Sequence, residues 1–338
     1  MCSAPRELVS IVTPSLNQAR FLEETLRSVY LQKYRPIEHV VMDGGSSDGS
    51  VAILKRCAEE FRSPGYSLQW VSKPDRGFAD ALGKGFARTR GQIVGWLNSD
   101  DVYFDRHAIG TAVRELDEHP DVDVVYGDVA LISENSGLWM IWCFPNFQYK
   151  RALRGYIVPQ PTVFCRRIVV EENPLDPRIE IAVDHLYWLQ IGQSHKFRHV
   201  GRVQAADRDH PMRQTHMKRS VWTAESSKLL QLYGRGYRPT ALARSHDVLI
   251  RLLMRFNGLI RAAGIAFNSR LPNLLAFPMW TDSRWGVIRR QFTMRIGMGP
   301  DLGVRAAAVD WPPAGAPRQT NVDGRSLLHR DWGDGGRQ

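Results

Sequence analysis

The residues with the clearest chemical potential are two adjacent carboxylates, Asp100 and Asp101, which close the run Gly95-Trp96-Leu97-Asn98-Ser99-Asp100-Asp101 directly after an apolar stretch. Adjacent carboxylates repel each other unless water solvates both or a cation lies between them. Mg2+ and Mn2+ are hard ions, held by one or two carboxylates together with phosphate oxygens and water, and this loop could supply those carboxylates. An acidic turn leading into the next helix explains the same spacing equally well. A second acidic loop, Asp43-Gly44-Gly45-Ser46-Ser47-Asp48-Gly49, contains glycines that allow tight turns and close backbone approach. Its carboxylates could accept hydrogen bonds from a base or a ribose, although turn formation and capping by Asp48 also account for them. The loop is not GxGxxG, which argues against a dinucleotide oxidoreductase.

Both loops need elements to hold them. Leu8 to Thr13, Ile37 to Met42, Leu68 to Val71, Ile93 to Leu97 and Val122 to Tyr126 are short apolar runs that read as buried strands. Helical patterns separate them over 21–30, 49–62, 77–89 and 106–118, so the chain predicts βαβ units and a largely parallel sheet covered on both faces. Ligands on such sheets gather at the carboxyl ends of the strands. Thr13 to Asn17, Asp43 to Asp48 and Asn98 to Asp101 all fall at such ends, so three loops from separate strands are expected to face one crevice. After residue 127 shorter aromatic-rich pieces follow, then a helix over Val183 to Ile191, and from about 211 the chain turns helical and basic. The predicted organisation is a ligand-binding domain over 1–210, a basic helical extension over 211–296, and a Gly- and Pro-rich, poorly ordered tail over 297–338.

Composition narrows the class. The chain has 338 residues, 43% hydrophobic and 24% charged, which excludes collagen-like, coiled-coil and wholly disordered readings. Its net charge of +10 is unevenly spread: residues 1–190 carry 21 Lys and Arg against 25 Asp and Glu, a net of −4, and the remainder carries +14. That asymmetry points to a negatively charged partner for the C-terminal part, whether headgroup, pyrophosphate or nucleic acid. Four scattered cysteines, without a CxxC pair, indicate neither a zinc site nor a disulfide framework and fit a reduced, cytoplasmic protein. The N-terminus enters a strand at once, leaving no room for a signal peptide, and no stretch approaches the roughly 20 apolar residues of a membrane span.

Five blocks in order, VSIVTPSLNQARFLEETLRSVYLQ, HVVMDGGSSDGS, SKPDRGFADALGKGFARTRGQIVGWLNSDD, QPTVFCRR and AVDHLYWLQI, resemble family 2 glycosyltransferases of the bacterial surface polysaccharide type across roughly residues 8–210. The resemblance implies a GT-A fold, an α/β architecture with a doubly wound, mostly parallel central sheet, helices on both faces and a C-terminal helical extension. It implies metal-dependent, inverting transfer of a sugar from a nucleoside-diphosphate donor to an acceptor hydroxyl, with Mn2+ or Mg2+ as cofactor and a carbohydrate or lipid-linked acceptor. Carried over residue by residue, Thr13, Pro14, Asn17 and Asp43 contact the base and ribose, and Asp100 takes the metal position of the D-x-D element. Asn98 replaces the first Asp of that element, so it and Ser99 would contact the donor, and Asp101 would share in binding. Asp184 matches the general base. Arg76 and Asp80 are candidates for sugar or phosphate contact, although Phe78 and Gly83 replace the Gln and Asn of the usual GQxDAxNKG. Arg208 and His210 resemble an R-x-H element near the phosphates.

Further along, Arg244, Asp247, Arg251, Arg255 and Arg261 fall on one helical stripe opposite Leu249, Ile250, Leu252, Leu253, Phe256, Leu259 and Ile260. Such a helix over 244–267 either lies on an anionic membrane surface, making the protein peripheral at the inner face of the cell membrane, or packs its apolar side on the rest of the chain. Two other functions compete. A sugar nucleotidyltransferase would need a glycine-rich, basic activation loop after the first strand, which TPSLNQARF lacks. A basic, non-enzymatic nucleic-acid or lipid-binding module would need stacking aromatics within its basic patch, whereas the acidic N-terminal half repels phosphate in the absence of metal, so no nucleic acid is expected.

Overall fold

A computed structural model describes residues 6–245 except 105, 145, 156 and 157, together with residue 248 and the pair 277–278. The first half alternates β1 (Val9–Ser15), α1 (Leu22–Tyr30), β2 (Ile37–Asp43), α2 (Ser50–Glu60), β3 (Tyr66–Ser72), α3 (Phe78–Phe86) and β4 (Ile93–Trp96). Strands β3, β2, β1 and β4 lie side by side in that order, all parallel. Their register is level at the carboxyl ends, with Ser15 opposite Asp43 and Asp43 opposite Ser72. This is the arrangement expected when right-handed crossover helices connect parallel strands.

The alternation of side chains along each strand decides which helices cover which face. Val9, Ile11, Ile37, Val41 and Ile93 join one core with Leu22 and Leu26 of α1, Leu54 of α2, and Ile109, Ala112 and Leu116 of α4 (Ala108–Glu118). Val12 and Trp96 point the other way, onto Ala79 and Leu82 of α3 and Val183 of α7 (Val183–Ile191). The helix predicted over Val183 to Ile191 is observed with those bounds. Asp48, expected as the α2 cap, sits one residue too early: Gly49, at φ +101°, occupies the cap, and Asp48 instead takes the N–H groups of Ser50 and Ala19.

Beyond β4 the sheet changes character. The two-residue β5 (Val102–Tyr103) precedes β6 (Val124–Ser133), which continues seven residues past the strand expected to end at Tyr126. β7 (Leu138–Cys143) pairs antiparallel with β6, and β8 (Phe164–Arg166) lies antiparallel between β4 and β6, with the short helices α5 (Tyr149–Ala152) before it and α6 (Arg167–Glu172) after it. The longest strand, β9 (Phe197–Asp209), has no counterpart among the elements expected from sequence; it runs parallel to β6 and antiparallel to β5. It delivers Asp207, Arg208 and Asp209 to the same side of the molecule as the acidic loop after β4. The pair Phe277–Pro278 extends the sheet beside β7.

After β9 come α8 (Gln214–Met217) and α9 (Arg219–Tyr233), and Trp222 and Leu229 of α9 pack on Leu186 and Leu189 of α7. The chain after 210 therefore begins by packing on α7. The basic stripe over 244–267 lies outside the described residues apart from 244, 245 and 248, as does the tail over 297–338. Among the described residues no helix is long and apolar enough to cross a membrane.

Candidate active site

The loop after β1 and the loop after β2 are built as one unit. Asn17, at φ +52°, receives a hydrogen bond on its Oδ1 from the Ser47 N–H at 2.9 Å, and its own N–H donates to Ser46 Oγ at 2.7 Å. Asp43 is 2% exposed and anchors this unit from inside. Its Oδ2 accepts from the N–H groups of Gly45 and Ser46 and from Ser72 Oγ at 2.6 Å, and its Oδ1 from Ser46 Oγ. Thr13 is fully buried with its hydroxyl 2.9 Å from His39 Nε2, and Pro14 is buried beside it, while Asn17 is exposed. At this end of the sheet Asn17 and the loop backbone face outward, with Thr13, Pro14 and Asp43 buried beneath them. Gly44 has no room for a side chain, since a Cβ there would lie 2.8 Å from Asp75 Oδ2.

At the start of α3, Asp80 is clamped by two cations. Lys84 Nζ donates to Oδ2 at 2.6 Å, the Arg76 N–H to Oδ2 at 3.0 Å and Arg76 NH2 to Oδ1 at 3.0 Å. The Lys84 ammonium and the Arg76 donors hold this carboxyl well below the usual range. Arg76 itself is exposed, so its guanidinium can exchange Asp80 for an anionic ligand.

The loop after β4 turns through a web of its own side chains. Trp96 Nε1 donates to Asn98 Oδ1 at 2.8 Å and Asn98 Nδ2 reaches Asp101 Oδ2 at 3.3 Å, with Ser99 buried between them. Asn98 thus braces the loop. Asp101 is buried, and its Oδ1 accepts the Arg208 N–H at 2.9 Å. Asp100 remains partly exposed, with Oδ2 at 3.0 Å from His210 Nε2. Arg208, expected near phosphate, has 0% exposure and donates instead to Glu24 Oε2 at 2.6 Å and to the Asp100 carbonyl at 2.8 Å. A guanidinium enclosed by protein acceptors does not present its donors to solvent, so Arg208 stands behind the surface of this loop.

Asp184 stands in the first turn of α7, partly buried, with Oδ1 accepting the His185 N–H at 2.8 Å. Burial pushes its carboxyl up to about 6, against the opposing pulls of that N–H and of Arg213. Arg213 is the electrostatic link across the site. It donates to the Asp207 carboxylate at 2.8 Å, and the charges of Asp207, Asp101 and Asp100 together raise its pKa despite burial. Asp101 is driven well above the usual carboxylate range by burial and by repulsion from Asp207 and Asp100. Asp100, Asp101, Asp184 and Asp207 are therefore all within electrostatic reach of one guanidinium, and the carboxyl groups disfavour one another's ionisation.

The structure thus brings Asp100, Asp101, His210 and Asp184 into one electrostatic neighbourhood, with Thr13, Asn17 and Asp43 at the adjoining strand ends. Asp75, Asp207 and Arg213 join them without having been singled out by residue type and spacing. Asp75 follows β3 at a strand end, a signal available in SKPDRG. Asp207 and Arg213 follow from β9, whose thirteen residues include His, Gln, two Asp and three Arg and so mask the period-2 signal.

Comparison with solved structures gives the class first. Staphylococcus aureus TarS 1–349, solved with UDP-GlcNAc, matches with a TM-score of 0.52 at 15% identity, over 83% of this chain and 79% of that one. The mannosyltransferase PcManGT from Pyrobaculum calidifontis, solved with GDP-Man and Mn2+, matches with a TM-score of 0.52 at 19% identity, over 86% and 87%. The fold is GT-A: a curled, mostly parallel sheet flanked by helices. Residues 10–168 match the glycosyl transferase family 2 profile, and an uncharacterized glycosyltransferase of Mycobacterium tuberculosis is 38% identical over 128 residues, 38% of this chain and 46% of that protein. Over residues 10–168 the sequence is thus similar to glycosyl transferase family 2. It spans about half the length of the curated relatives it matches.

Proposed function

We propose that the protein is an inverting, metal-dependent glycosyltransferase that moves a sugar from a nucleoside diphosphate to an acceptor hydroxyl, with Asp184 as the base. The observation that carries this reading is that Asp184 and the Asp100–Asp101 pair, 84 residues apart in sequence, act on the same Arg213. The nucleotide lies against the Asn17–Ser47 unit at the carboxyl ends of β1 and β2, with Asp43 holding the floor and Asp75 beside it. Arg76, exposed at the head of α3, faces the donor's charge.

The residues present fit a divalent ion. Asp100 and His210 offer a carboxylate and an imidazole side by side, and a cation there would relieve the repulsion among Asp100, Asp101 and Asp207. Among the described residues no three His, Cys, Asp or Glu side chains are placed to hold an ion by themselves. Mn2+ or Mg2+ would then be held by Asp100, with His210 as a further ligand for Mn2+, and completed by diphosphate oxygens and water. When bound, the ion supplies Lewis-acid stabilisation of charge on the departing diphosphate. Asp184, poised near 6, is ionised at neutral pH and basic enough to accept the acceptor hydroxyl's proton as the new glycosidic bond forms on the opposite face of the sugar. The PcManGT structure with GDP-Man and Mn2+ supports this donor and metal class.

The pathway we assign is polysaccharide or glycolipid synthesis, with a carbohydrate or lipid-linked acceptor met at the cytoplasmic face of a membrane. Its support is the basic stripe of residues 244–267 in the sequence. Binding of the protein to anionic liposomes at low salt is the expected result. The deciding experiment for the chemistry is a panel of nucleotide sugars with Mn2+ or Mg2+. Asp184→Asn is expected to bind donor as the wild type does and to lose about 100- to 10,000-fold in transfer. Transfer at the wild-type rate would show that Asp184 is not the base.

A further inference from the structure

A buried ion pair crosses the fold behind the acidic loop without touching the solvent side of the site. Arg208 in β9 and Glu24 in α1 are joined at 2.6 Å, with side-chain exposures of 0% and 6%. The remaining donors of Arg208 are also directed. NH1 reaches Ser136 Oγ, at the turn between β6 and β7, at 2.7 Å, and Nε reaches the Asp100 carbonyl at 2.8 Å. The ring of Phe21 lies beneath the guanidinium at 4.9 Å and also contacts His210, with ring centroids 4.6 Å apart. Ser136 donates to the same Glu24 Oε2 at 2.9 Å. Three elements distant in sequence therefore meet on one planar cation, and the far end of that cation holds the backbone of the residue whose carboxylate lies beside His210.

We infer that Arg208 is a positioning residue for the diphosphate end of the site: fixed by Glu24, Ser136 and Phe21, it holds the Asp100 carbonyl and, through its own main-chain N–H, the Asp101 carboxylate. The Asp100 side chain is thereby kept in one orientation next to His210. The inference rests on the reading that Asp100 takes part in metal-assisted nucleotide binding. A guanidinium suits the task because its donors are fixed in a rigid fork and point in several directions at once, whereas a lysine ammonium is a compact charge that cannot span Glu24, Ser136 and the Asp100 carbonyl together. Groups that orient a metal-binding side chain from behind commonly change metal affinity by about 10- to 100-fold when replaced.

The test is calorimetric titration of UDP, and in parallel GDP, into the full chain in Mn2+ and in EDTA. The proteins compared are the wild type, Arg208→Lys, Glu24→Gln and Asp100→Ala, with circular dichroism and thermal melts on each. Arg208→Lys keeps the buried positive charge. It is expected to stay folded, to lose about 10- to 100-fold of the affinity seen in Mn2+, and to bind as the wild type does in EDTA. Glu24→Gln retains an acceptor for Arg208 and is expected to show a smaller loss, again only in Mn2+; it carries the test if Arg208→Lys does not fold. Equal losses in Mn2+ and EDTA would reduce Arg208 to a structural role and overturn the inference. So would wild-type affinity in Arg208→Lys, or in Glu24→Gln where that variant carries the test, while Asp100→Ala abolishes the Mn2+ dependence. Wild-type binding by Asp100→Ala would overturn the reading of Asp100 itself, and the positioning role with it.

Discussion

His210 Nε2 and Asp100 Oδ2 lie 3.0 Å apart although 110 residues separate them in the chain. The contact exists because β9 brings its C-terminal end alongside the loop that follows β4, pairing through β5. A carboxylate and an imidazole are thus brought together by a strand that has no counterpart in the first half of the sheet.

From this pairing, His210→Ala is expected to weaken Mn2+ binding measured by electron paramagnetic resonance in the presence of nucleoside diphosphate, by about 10- to 100-fold. Circular dichroism of the variant, whose imidazole packs on the Phe21 ring in the wild type, should show the same secondary structure. Unaltered Mn2+ affinity would remove His210 from the site.

Asp184 predicts a difference in stability as well as in rate. Its carboxyl titrates near 6 in the folded protein against an ordinary value of 3.8, so between these values the folded state holds the extra proton. Stability from this group therefore falls as pH rises from about 4 to about 6 and stays low above that. Asp184→Asn carries no such penalty, and its melting temperature should exceed that of the wild type by a few degrees at pH 7.5. The difference should shrink toward pH 4. Comparison of the two proteins isolates this group from His39 and His185, whose burial lowers their pKa to about 3 and about 4 and makes stability fall toward acid. In the wild type, transfer should rise with pH through about 6; a flat profile between pH 5 and 7 would contradict the assigned base.

Two glycines two residues apart in α3 should respond oppositely to alanine. A Cβ on Gly85 would stand 2.3 Å from Val12 Cγ1 and 3.3 Å from Met42 Cγ, so the helix packs on β1 and β2 only because that side chain is absent. Gly85→Ala is expected to cost about 1–3 kcal/mol by overpacking. Gly83 meets nothing within 4 Å and has no left-handed backbone, so Gly83→Ala should gain about 0.5–1 kcal/mol from helix propensity. Urea denaturation of the two variants checks both signs, and equal effects would mean that α3 sits differently on the sheet.

Much of this protein is legible in the order of its residues. Apolar runs of four to seven residues separated by amphipathic patterns specify parallel β/α units, since the inner strands are buried on both faces, the edge strand β3 only in part, and each helix on one. That is why β1 to β4 and α7 fall where the residues place them, and why the polar residues after β1, β2 and β4 share one side. Local chemistry is also readable in part: Asp43 is a turn-builder as its glycine and serine neighbours suggest, and only the structure adds that Ser72 of β3 completes its shell.

The amino-acid order by itself determined the α/β class, the strand ends on which ligand groups cluster, and the family blocks that single out Asp100 and Asp184. Tertiary structure decided what those groups face. β9 is too polar to announce itself as a strand, because Arg208 near its end is satisfied by Glu24, Asp101 and Asp100, which lie 100 residues or more away. The burial of Arg208, the pairing of Asp100 with His210 and the charge that Arg213 shares among four carboxylates depend on distances through space, and Coulomb and desolvation energies are set by those distances and not by spacing along the chain.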